Sequence, residues 1–286
     1  MEDRRGPVSS GMTEASDIHV SVKGLDKTYQ LPKGDTVSAI RHIDLQLRRG
    51  EFVSVVGPSG CGKSTLLKCI AGITEISGGT IHVDGERVTK PPDNMAIVFQ
   101  RDILLDWRTA IENVLFPIEI KGYHKEEWVD RARELFALIG LSGYENRQPW
   151  ELSGGQRQRV AICRALIQEP KLLLMDEPFG ALDALTRLQV RMDLEALWLR
   201  RRPTVLFITH SVEEAVGLSD RIIVMGPSPG EVVEEIRVEL PRPRPIVLGD
   251  VKEFAGYVDR IHRHFERLGV LHGIDTPALA TAREVS

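Results

Sequence analysis

The stretch FVSVVGPSGCGKSTLLKCIAG, residues 52–72, decides the fold class of this 286-residue chain. It joins a short apolar run to a glycine-rich loop, GPSGCGKST at 57–65, and then to a segment with the composition of a helix. The loop matches the pattern GxxxxGK[ST] in the strand–loop–helix context that this pattern requires. Glycines let backbone N–H groups turn inward on phosphate oxygens, and the helix N-terminus adds its dipole. The stretch therefore predicts a phosphate-binding loop at the end of a strand.

Two side chains of this loop have specific predicted roles. Lys63 is placed to reach the β- and γ-phosphates of a nucleotide, and the Ser64 hydroxyl is placed to ligate Mg²⁺. The alternative is a glycine-rich turn with an accidental Lys-Ser pair, and Cys61 fits as a small loop residue better than as a redox switch. The predicted nucleotide-binding residues of the loop are Gly57, Pro58, Ser59, Gly60, Cys61, Gly62, Lys63, Ser64 and Thr65.

A second apolar run, KLLLMDEP at 171–178, ends in two adjacent carboxylates. Asp176 is predicted to serve the Mg²⁺, usually through a water. Glu177 points elsewhere and is free to orient a water against the γ-phosphate, so the pair favours hydrolysis over transfer to a substrate hydroxyl. A solvated pair of loop carboxylates is the alternative interpretation, which the upstream phosphate loop makes less attractive.

The bulk composition is that of an ordinary globular protein, with 42% hydrophobic and 27% charged residues. The net charge of −4 and pI near 6.1 give no global indication of nucleic acid or an anionic membrane surface. Three cysteines without CxxC pairing are expected to be reduced thiols. No apolar run approaches the roughly 20 residues of a membrane span, so we expect any work at a membrane to go through a partner.

The pattern along the chain predicts an α/β fold. Residues 18–56 have strand-like alternation, Asp84-Gly85 is a hairpin turn, and 96–99 is a short buried strand. A helical pattern runs from about 117 to 148, after an exposed connection. Beyond 150 helices alternate with strands, which predicts a parallel sheet, and Ser211 with Glu214 has the spacing of a capping box.

The C-terminal region has a different character. ELPRPRPI at 239–246 is predicted to be extended, because proline excludes a regular helix. An amphipathic helix follows, and its predicted apolar stripe comprises Val251, Phe254, Ala255, Val258, Ile261, Phe265 and Leu268. The predicted divisions are a disordered tail over 1–17, a domain over 18–240 with a helical subdomain at about 101–168, and the extended segment, helix and frayed end over 241–286.

The motif LSGGQ at 152–156 completes a set of motifs in one order along the chain. These are Tyr29, GPSGCGKST, Gln100, LSGGQRQR, LLLMDEP, the ALD at 181–183 and His210. Together they make the chain resemble the ATP-binding subunits of ABC transporters over nearly all of residues 18–240. The resemblance implies a P-loop cassette with a mostly parallel core sheet, an N-terminal antiparallel β subdomain and a helical subdomain. It also implies ATP and Mg²⁺ as cofactors.

The resemblance explains why one domain carries two anion-binding loops. In this family the LSGGQ of one subunit binds the γ-phosphate held by the phosphate loop of another, across a head-to-tail dimer. The residues that take this role here are Ser153, Gly154, Gly155 and Gln156. The alternative is an ordinary serine N-cap, which leaves the Gly-Gly-Gln sequence unexplained.

Four further positions take their roles from the resemblance. Tyr29 is implied to stack on adenine, and Asp183 to lie at the dimer seam. Gln100 is implied to approach the Mg²⁺ and the attacking water, and His210 to bond the γ-phosphate. Taken alone, Tyr29 is a packing residue in a strand and His210 a cap or a core histidine. The predicted catalytic residues are Glu177, His210 and Gln100, and the predicted metal ligands are Ser64, Gln100 and Asp176.

The resemblance also implies the partners. These are a second ATPase subunit, identical in a homodimer, integral membrane permease subunits and indirectly a solute-binding protein, with no nucleic acid. The chain would then be a peripheral protein on the cytoplasmic face of the cell membrane. Leu104, Leu105 and Trp107 lie in the region that receives a helix of the permease in this family; local core packing is the alternative for Trp107.

Two stretches resemble the nitrate, sulfonate and taurine importer subgroup. They are FQRDILLDWRTAIENV at 99–114 and the run from Thr209 to the Pro-Arg segment, although Asp106 stands where the subgroup usually has proline. A sulfonate, taurine or nitrate is therefore the expected solute, and a pyrimidine precursor or an aromatic acid is the alternative. A soluble ABC ATPase acting on ribosomes or DNA, and a P-loop kinase, are rivals from other classes; the first carries two cassettes or a coiled-coil insertion, and the second lacks LSGGQ.

Overall fold

A computed structural model describes residues 17–32, 34–244 and 252–270. The strands in these residues are Ile18–Gln30 (β1), Thr36–Arg48 (β2), Phe52–Val56 (β3), Gly78–Val83 (β4), Glu86–Arg87 (β5), Met95–Val98 (β6), Leu172–Asp176 (β7), Thr204–Ile208 (β8), Arg221–Met225 (β9) and Val232–Arg237 (β10). The α-helices are Lys63–Ile70 (α1), Ala110–Ile120 (α2), Val129–Leu138 (α3), Gly154–Leu166 (α4), Ala184–Arg201 (α5), Val212–Leu218 (α6) and Lys252–Arg267 (α7). Short 3₁₀ turns lie at Lys125–Trp128 and Pro149–Glu151.

The core sheet has the strand order β10-β9-β3-β8-β7-β6. Neighbouring strands from β9 to β6 are parallel, and only β10 pairs antiparallel to its neighbour. All residues of β3 and β8 are buried, as expected for strands covered on both faces. The predicted mostly parallel sheet is confirmed, and its carboxyl edge places the ends of β3, β7 and β8 side by side.

The N-terminal sheet is antiparallel, with the order β2-β1-β4-β5. Asp84 (φ 52) and Gly85 (φ 82) connect β4 to β5 with two positive φ angles, which is the geometry of a type I′ hairpin turn. The predicted hairpin and the antiparallel subdomain are therefore confirmed.

Helices α2, α3 and α4 pack on one another beside the core sheet. The sequence placed the first of them from about Pro117, but α2 begins at Ala110, and Pro117 lies inside it. Thr109 and Glu112 form a capping box that fixes this earlier start. The exposed connection is therefore shorter than predicted. Within it Leu104 packs on the main core cluster, whereas the Trp107 side chain is 76% exposed.

Two local predictions differ from the structure, and one strand was not predicted. Strand β6 is an edge strand in which only Val98 is fully buried, so 96–99 is not a buried strand. Ser211 caps α6 by accepting from the Glu214 amide, but the Glu214 carboxylate accepts from the Thr209 hydroxyl instead of returning to the cap. The sequence did not indicate β10, because its adjacent glutamates obscure the alternation.

The Pro-Arg segment packs on the domain that precedes it. The Arg242 guanidinium bonds Asp220 and Glu195, and Arg244 is 5% exposed. On α7, Phe254, Ile261 and Phe265 are buried.

Ala255 faces solvent and does not belong to the apolar stripe of α7. Val251, residues 245–246, nearly all of the tail at 1–17 and the C-terminal end from 271 lie outside the described residues. The division of the chain at residue 240 stays a prediction. No helix in the described part of the chain is long and apolar enough to cross a membrane.

Candidate nucleotide site

The phosphate loop connects the buried strand β3 to α1. Gly60 (φ 79) and Gly62 (φ 98) have left-handed backbone conformations that favour glycine. A Cβ on Gly62 would lie 2.6 Å from the carbonyl oxygen of Ala39 on β2. The loop can therefore fold this tightly against the N-terminal sheet only with glycine at this position.

Lys63 is the first residue of α1 and is 6% exposed. Its ammonium donates to the carbonyl oxygens of Gly57 at 2.8 Å and Pro58 at 2.9 Å. A cavity of about 250 Å³ opens beside the loop and is lined by Ala39, Ser59, Gly60, Gly62, Lys63, Ser64, Thr65 and Glu177. The structure thus brings a buried cation and the helix N-terminus to one concave surface, where a phosphate chain fits.

Ser64 and Asp176 meet across the carboxyl edge of the sheet. The Ser64 hydroxyl donates to Asp176 Oδ1 at 2.8 Å. Burial raises the pKa of Asp176, while the Ser64 hydrogen bond opposes that rise and the neighbouring Glu177 adds to it. The two oxygen donors lie directly beside the loop, and such hard oxygen ligands are the kind that Mg²⁺ prefers.

Gln100, Glu177 and His210 converge although they lie far apart in the sequence. Gln100 Nε2 donates to Glu177 Oε2 at 3.2 Å, and His210 Nδ1 lies 3.4 Å from the same oxygen. Glu177 follows β7 in a left-handed conformation with φ 46, which is uncommon for a residue with a side chain. Strained backbone of this kind clusters at functional sites. The structure thus brings the three predicted catalytic residues together, and Glu177 among them lines the cavity.

Tyr29 lies near the end of β1 and is 37% exposed. The Lys27 ammonium lies 4.7 Å from the centre of its ring. The Tyr29 side chain therefore does not belong to the core. Its stacking on adenine stays a prediction.

The signature residues begin α4. Ser153 is the N-cap: its hydroxyl accepts from the Gln156 amide at 3.3 Å, and the Gln156 side chain accepts from the Ser153 amide at 2.9 Å. A Cβ on Gly155 would lie 2.2 Å from Cγ2 of Thr186, so close packing accounts for this glycine. Gly154 is exposed, and its missing side chain meets no comparable obstacle. The capping box thus explains the serine and the glutamine within one chain but leaves Gly154 unexplained.

The signature does not belong to the cavity of its own phosphate loop. None of residues 152–156 lines that cavity. Asp183 caps α5 by accepting from the Thr186 amide at 3.1 Å. Hydrogen bonds from the Thr186 side chain and from the Thr186 amide lower the pKa of the Asp183 carboxyl. Thr186 in turn faces Gly155. Asp183 and the signature are therefore neighbours on a surface distinct from the phosphate loop.

Two arginines of α4 have a role that the sequence did not indicate. Arg157 donates to Asp102 Oδ2 at 2.9 Å and to the carbonyl of Leu152 at 2.9 Å. Arg164 donates to the carbonyls of Asp102 and Ile103, each at 2.7 Å. These bonds tie the segment after Gln100 to the signature helix. Only the long-range fold reveals them.

Gly230 is the other supporting residue that sequence reasoning missed. A Cβ there would lie 1.9 Å from the carbonyl oxygen of Cys61 in the phosphate loop. Its amide also donates to the carbonyl of Ala39 at 3.0 Å. Gly230 therefore supports the loop from behind. In the sequence, only the Ser-Pro-Gly turn at 228–230 could have indicated a structural role for Gly230.

Comparison with known proteins identifies the family. The model described as "ABC transporter" matches residues 40–180. The aliphatic sulfonates import ATP-binding protein SsuB of Bacillus cereus is 41% identical over 252 residues, which cover 88% of this chain and 98% of that protein. The chain belongs to the ATP-binding subunits of the ABC transporter family.

Two further relatives support this assignment. The taurine import ATP-binding protein TauB of Roseobacter denitrificans is 42% identical over 219 residues, which cover 77% of this chain and 82% of that protein. The dimeric, ADP- and phosphate-bound structure of the ATP-binding cassette MJ0796 matches with a TM-score of 0.68 and 34% identity, covering 78% of this chain and all of that chain.

The ABC family explains the architecture described above. The chain is an ATP-binding and ATP-hydrolysing cassette, and the predicted fold class is confirmed. The phosphate loop and its buried lysine fit the phosphates of ATP.

Proposed function

We propose that the chain energises an importer for a small solute, with a sulfonate, taurine or nitrate as the expected solute. The observation that carries the hydrolytic part is the convergence of Gln100 and His210 on one oxygen of Glu177, beside the Ser64–Asp176 pair. The solute class is supported by relatives named as sulfonate and taurine import proteins. The alternatives remain a pyrimidine precursor or an aromatic acid.

The side chains divide the work of hydrolysis. The loop amides and Lys63 hold the phosphates, and Ser64, Asp176 and Gln100 would hold a Mg²⁺ that neutralises developing charge. Glu177 orients the attacking water and accepts its proton, since its carboxylate lies at the mouth of the cavity. His210, 55% exposed, is positioned to bond the γ-phosphate and to keep the Glu177 carboxylate in place.

The complete site needs a second copy of the chain. The signature lies outside the cavity of its own phosphate loop, and its exposed Ser153 and Gly154 form a helix N-terminus ready for an anion. A head-to-tail homodimer joins the signature of one copy to the phosphate loop of the other. The dimeric structure of the MJ0796 cassette supports the pairing of two cassettes.

The membrane partner would dock beside the segment after Gln100. Trp107 is 76% exposed there, next to the ion pair of Arg108 with Glu119 at 2.7 Å. An exposed aromatic with a charged border is the composition expected of an interface anchor. The chain would then work as a peripheral subunit on the cytoplasmic face of the cell membrane.

Affinity purification of the tagged chain from membranes solubilised in detergent tests this proposal. We expect an integral membrane permease to co-purify in stoichiometric amount and to stimulate hydrolysis of ATP. Recovery of ribosomes or DNA in place of a membrane protein would instead support the soluble class of ABC ATPase.

A further inference from the structure

A second cavity, of about 310 Å³, lies at the end of the core sheet opposite the nucleotide site. Its lining includes Lys171 and Thr204 at the starts of β7 and β8, whereas the phosphate loop and Glu177 follow strand ends. Leu166 at the end of α4 and Arg201 at the end of α5 close its sides. The cavity is therefore a separate site, with a volume at the lower end of the range of about 300–1,000 Å³ typical of small-molecule pockets.

The floor of this cavity is apolar. Leu135 of α3 and Leu194, Leu197 and Trp198 of α5 are all buried and line it. The Trp198 indole donates to the carbonyl of Pro203 at 2.9 Å, so its polar atom is already satisfied. The floor is therefore an apolar surface, and the Trp198 indole needs no hydrogen-bond partner from a ligand.

The rim carries a concentration of positive charge. Its cations are Arg49, Arg131, Lys171, Arg201 and Arg202, and its single carboxylate is Glu169. The whole chain, by contrast, has a net charge of −4. A concave surface with apolar walls focuses such a field and attracts an anion.

The one acid on the rim is already paired. Glu169 accepts from Arg201 at 2.7 Å and lies 3.4 Å from Arg131. Among the described residues Lys171 has no ion pair or side-chain hydrogen bond, and the Arg202 guanidinium has no ion pair and lies 5.2 Å from the centre of the Trp198 ring.

Two further groups of the lining bear on the charge of a ligand. The Arg131 Nε is buried and has no hydrogen-bond partner. Burial lowers the pKa of His19 and so disfavours its charged form. The cavity therefore has an excess of positive charge, which is located on the Lys171 ammonium and the Arg202 guanidinium.

We propose that this cavity binds a small amphipathic organic anion, a carboxylate or sulfonate with a short apolar tail. The tail lies on Leu135, Leu194 and Trp198, and the headgroup meets Lys171 and Arg202. An inorganic anion would leave the apolar floor uncovered, and a neutral ligand would gain no attraction from the cations. The proposal does not depend on the transport function, since no residue of the nucleotide site lines this cavity.

Binding of anilinonaphthalene sulfonate to the full chain, followed by its fluorescence, tests the proposal. We expect saturable binding at one site with a blue-shifted emission. Octanesulfonate should displace the probe, whereas sulfate and octyltrimethylammonium should not. Lys171→Glu should weaken binding about tenfold, because one charge-assisted contact becomes a repulsion. Leu166→Trp, which fills the cavity without changing charge, should abolish it.

Lys23→Glu is the matched control, since Lys23 is an exposed lysine of β1 outside the cavity. It should bind the probe as the unmodified chain does. Lys171 is exposed, so Lys171→Glu should keep the melting temperature. The proposal is overturned by an absence of saturable binding, by equal affinity in Lys171→Glu and the unmodified chain, or by displacement with sulfate or the cation.

Discussion

Glu177 is the residue on which hydrolysis depends most directly. Its carboxylate accepts a hydrogen bond from the Gln100 side-chain amide and lies 3.4 Å from His210 Nδ1, and its backbone has a left-handed φ of 46. We expect Glu177→Gln to bind ATP normally but to hydrolyse it about 10²- to 10⁴-fold more slowly, because a positioned base usually contributes a factor of this size. ATP turnover and ATP affinity, measured on the same preparation, check the expected loss of hydrolysis and the expected retention of binding.

The control for this variant is Glu253→Gln, an exposed glutamate of α7. It should hydrolyse ATP at the unmodified rate. Glu177→Gln should also sediment as a dimer with ATP and Mg²⁺, because hydrolysis limits the lifetime of the closed pair. Turnover within a few-fold of the unmodified chain would remove Glu177 as the base.

A substitution of Trp107 tests the proposed interface with the membrane permease at the scale of a single residue. Its side chain is 76% exposed, so Trp107→Ala should change the free energy of unfolding by no more than about 0.5 kcal/mol. Transport and permease co-purification should nevertheless fall sharply, because aromatic anchors often dominate an interface. Ile73→Ala, at a 52% exposed apolar residue elsewhere, is the control. Loss of several degrees of melting temperature in Trp107→Ala would place this residue in the core.

At the scale of elements, Ser153 at the N-terminus of α4 has a structural role and a proposed functional role. Ser153 caps its own helix and is proposed to meet the γ-phosphate of a partner. Ser153→Arg should therefore block hydrolysis while the isolated chain still binds ATP, since its own phosphate loop is unaltered. Loss of the cap should in addition cost about 1 kcal/mol of stability.

A cap variant elsewhere separates these two effects. Thr109→Ala removes the capping box of α2, distant in sequence from the signature, and should lose similar stability without losing ATP hydrolysis. Mixing Ser153→Arg with Lys63→Ala chains should restore activity, because one mixed pair assembles one intact site. Activity that stays absent at every mixing ratio would count against a site shared across a dimer.

Most elements were predictable because their signals are local. Strands β3, β7 and β8 are continuous apolar runs, and the Asp84-Gly85 turn has a defined geometry. Strand β10 and the early start of α2 were missed, because adjacent glutamates and an internal Pro117 contradict the local pattern. The supporting contacts of Arg157 and Gly230 join residues distant in sequence, so no local pattern encodes them.

At the scale of the whole molecule, the proposed transport function separates ATP hydrolysis in this chain from selection of the solute in partner proteins. The residues around Glu177 act on ATP, and none of the described residues forms a site that the transport proposal assigns to the solute. Relatives of similar identity are named for aliphatic sulfonates and for taurine, so similarity does not select one solute for this chain. A cellular measurement must therefore decide the solute.

Deletion of the gene for this chain provides that measurement. We expect the deletion strain to grow poorly on an alkanesulfonate or taurine as sole sulfur source, or on nitrate as sole nitrogen source, and normally on sulfate and ammonium. The unmodified gene should restore growth, whereas the Glu177→Gln gene should not, because its product binds ATP without turning it over. Unimpaired growth on all three solutes, in a strain without a redundant importer, would remove the solute proposal. The ATPase assignment would still stand, because it rests on the family and on the site geometry and not on the solute.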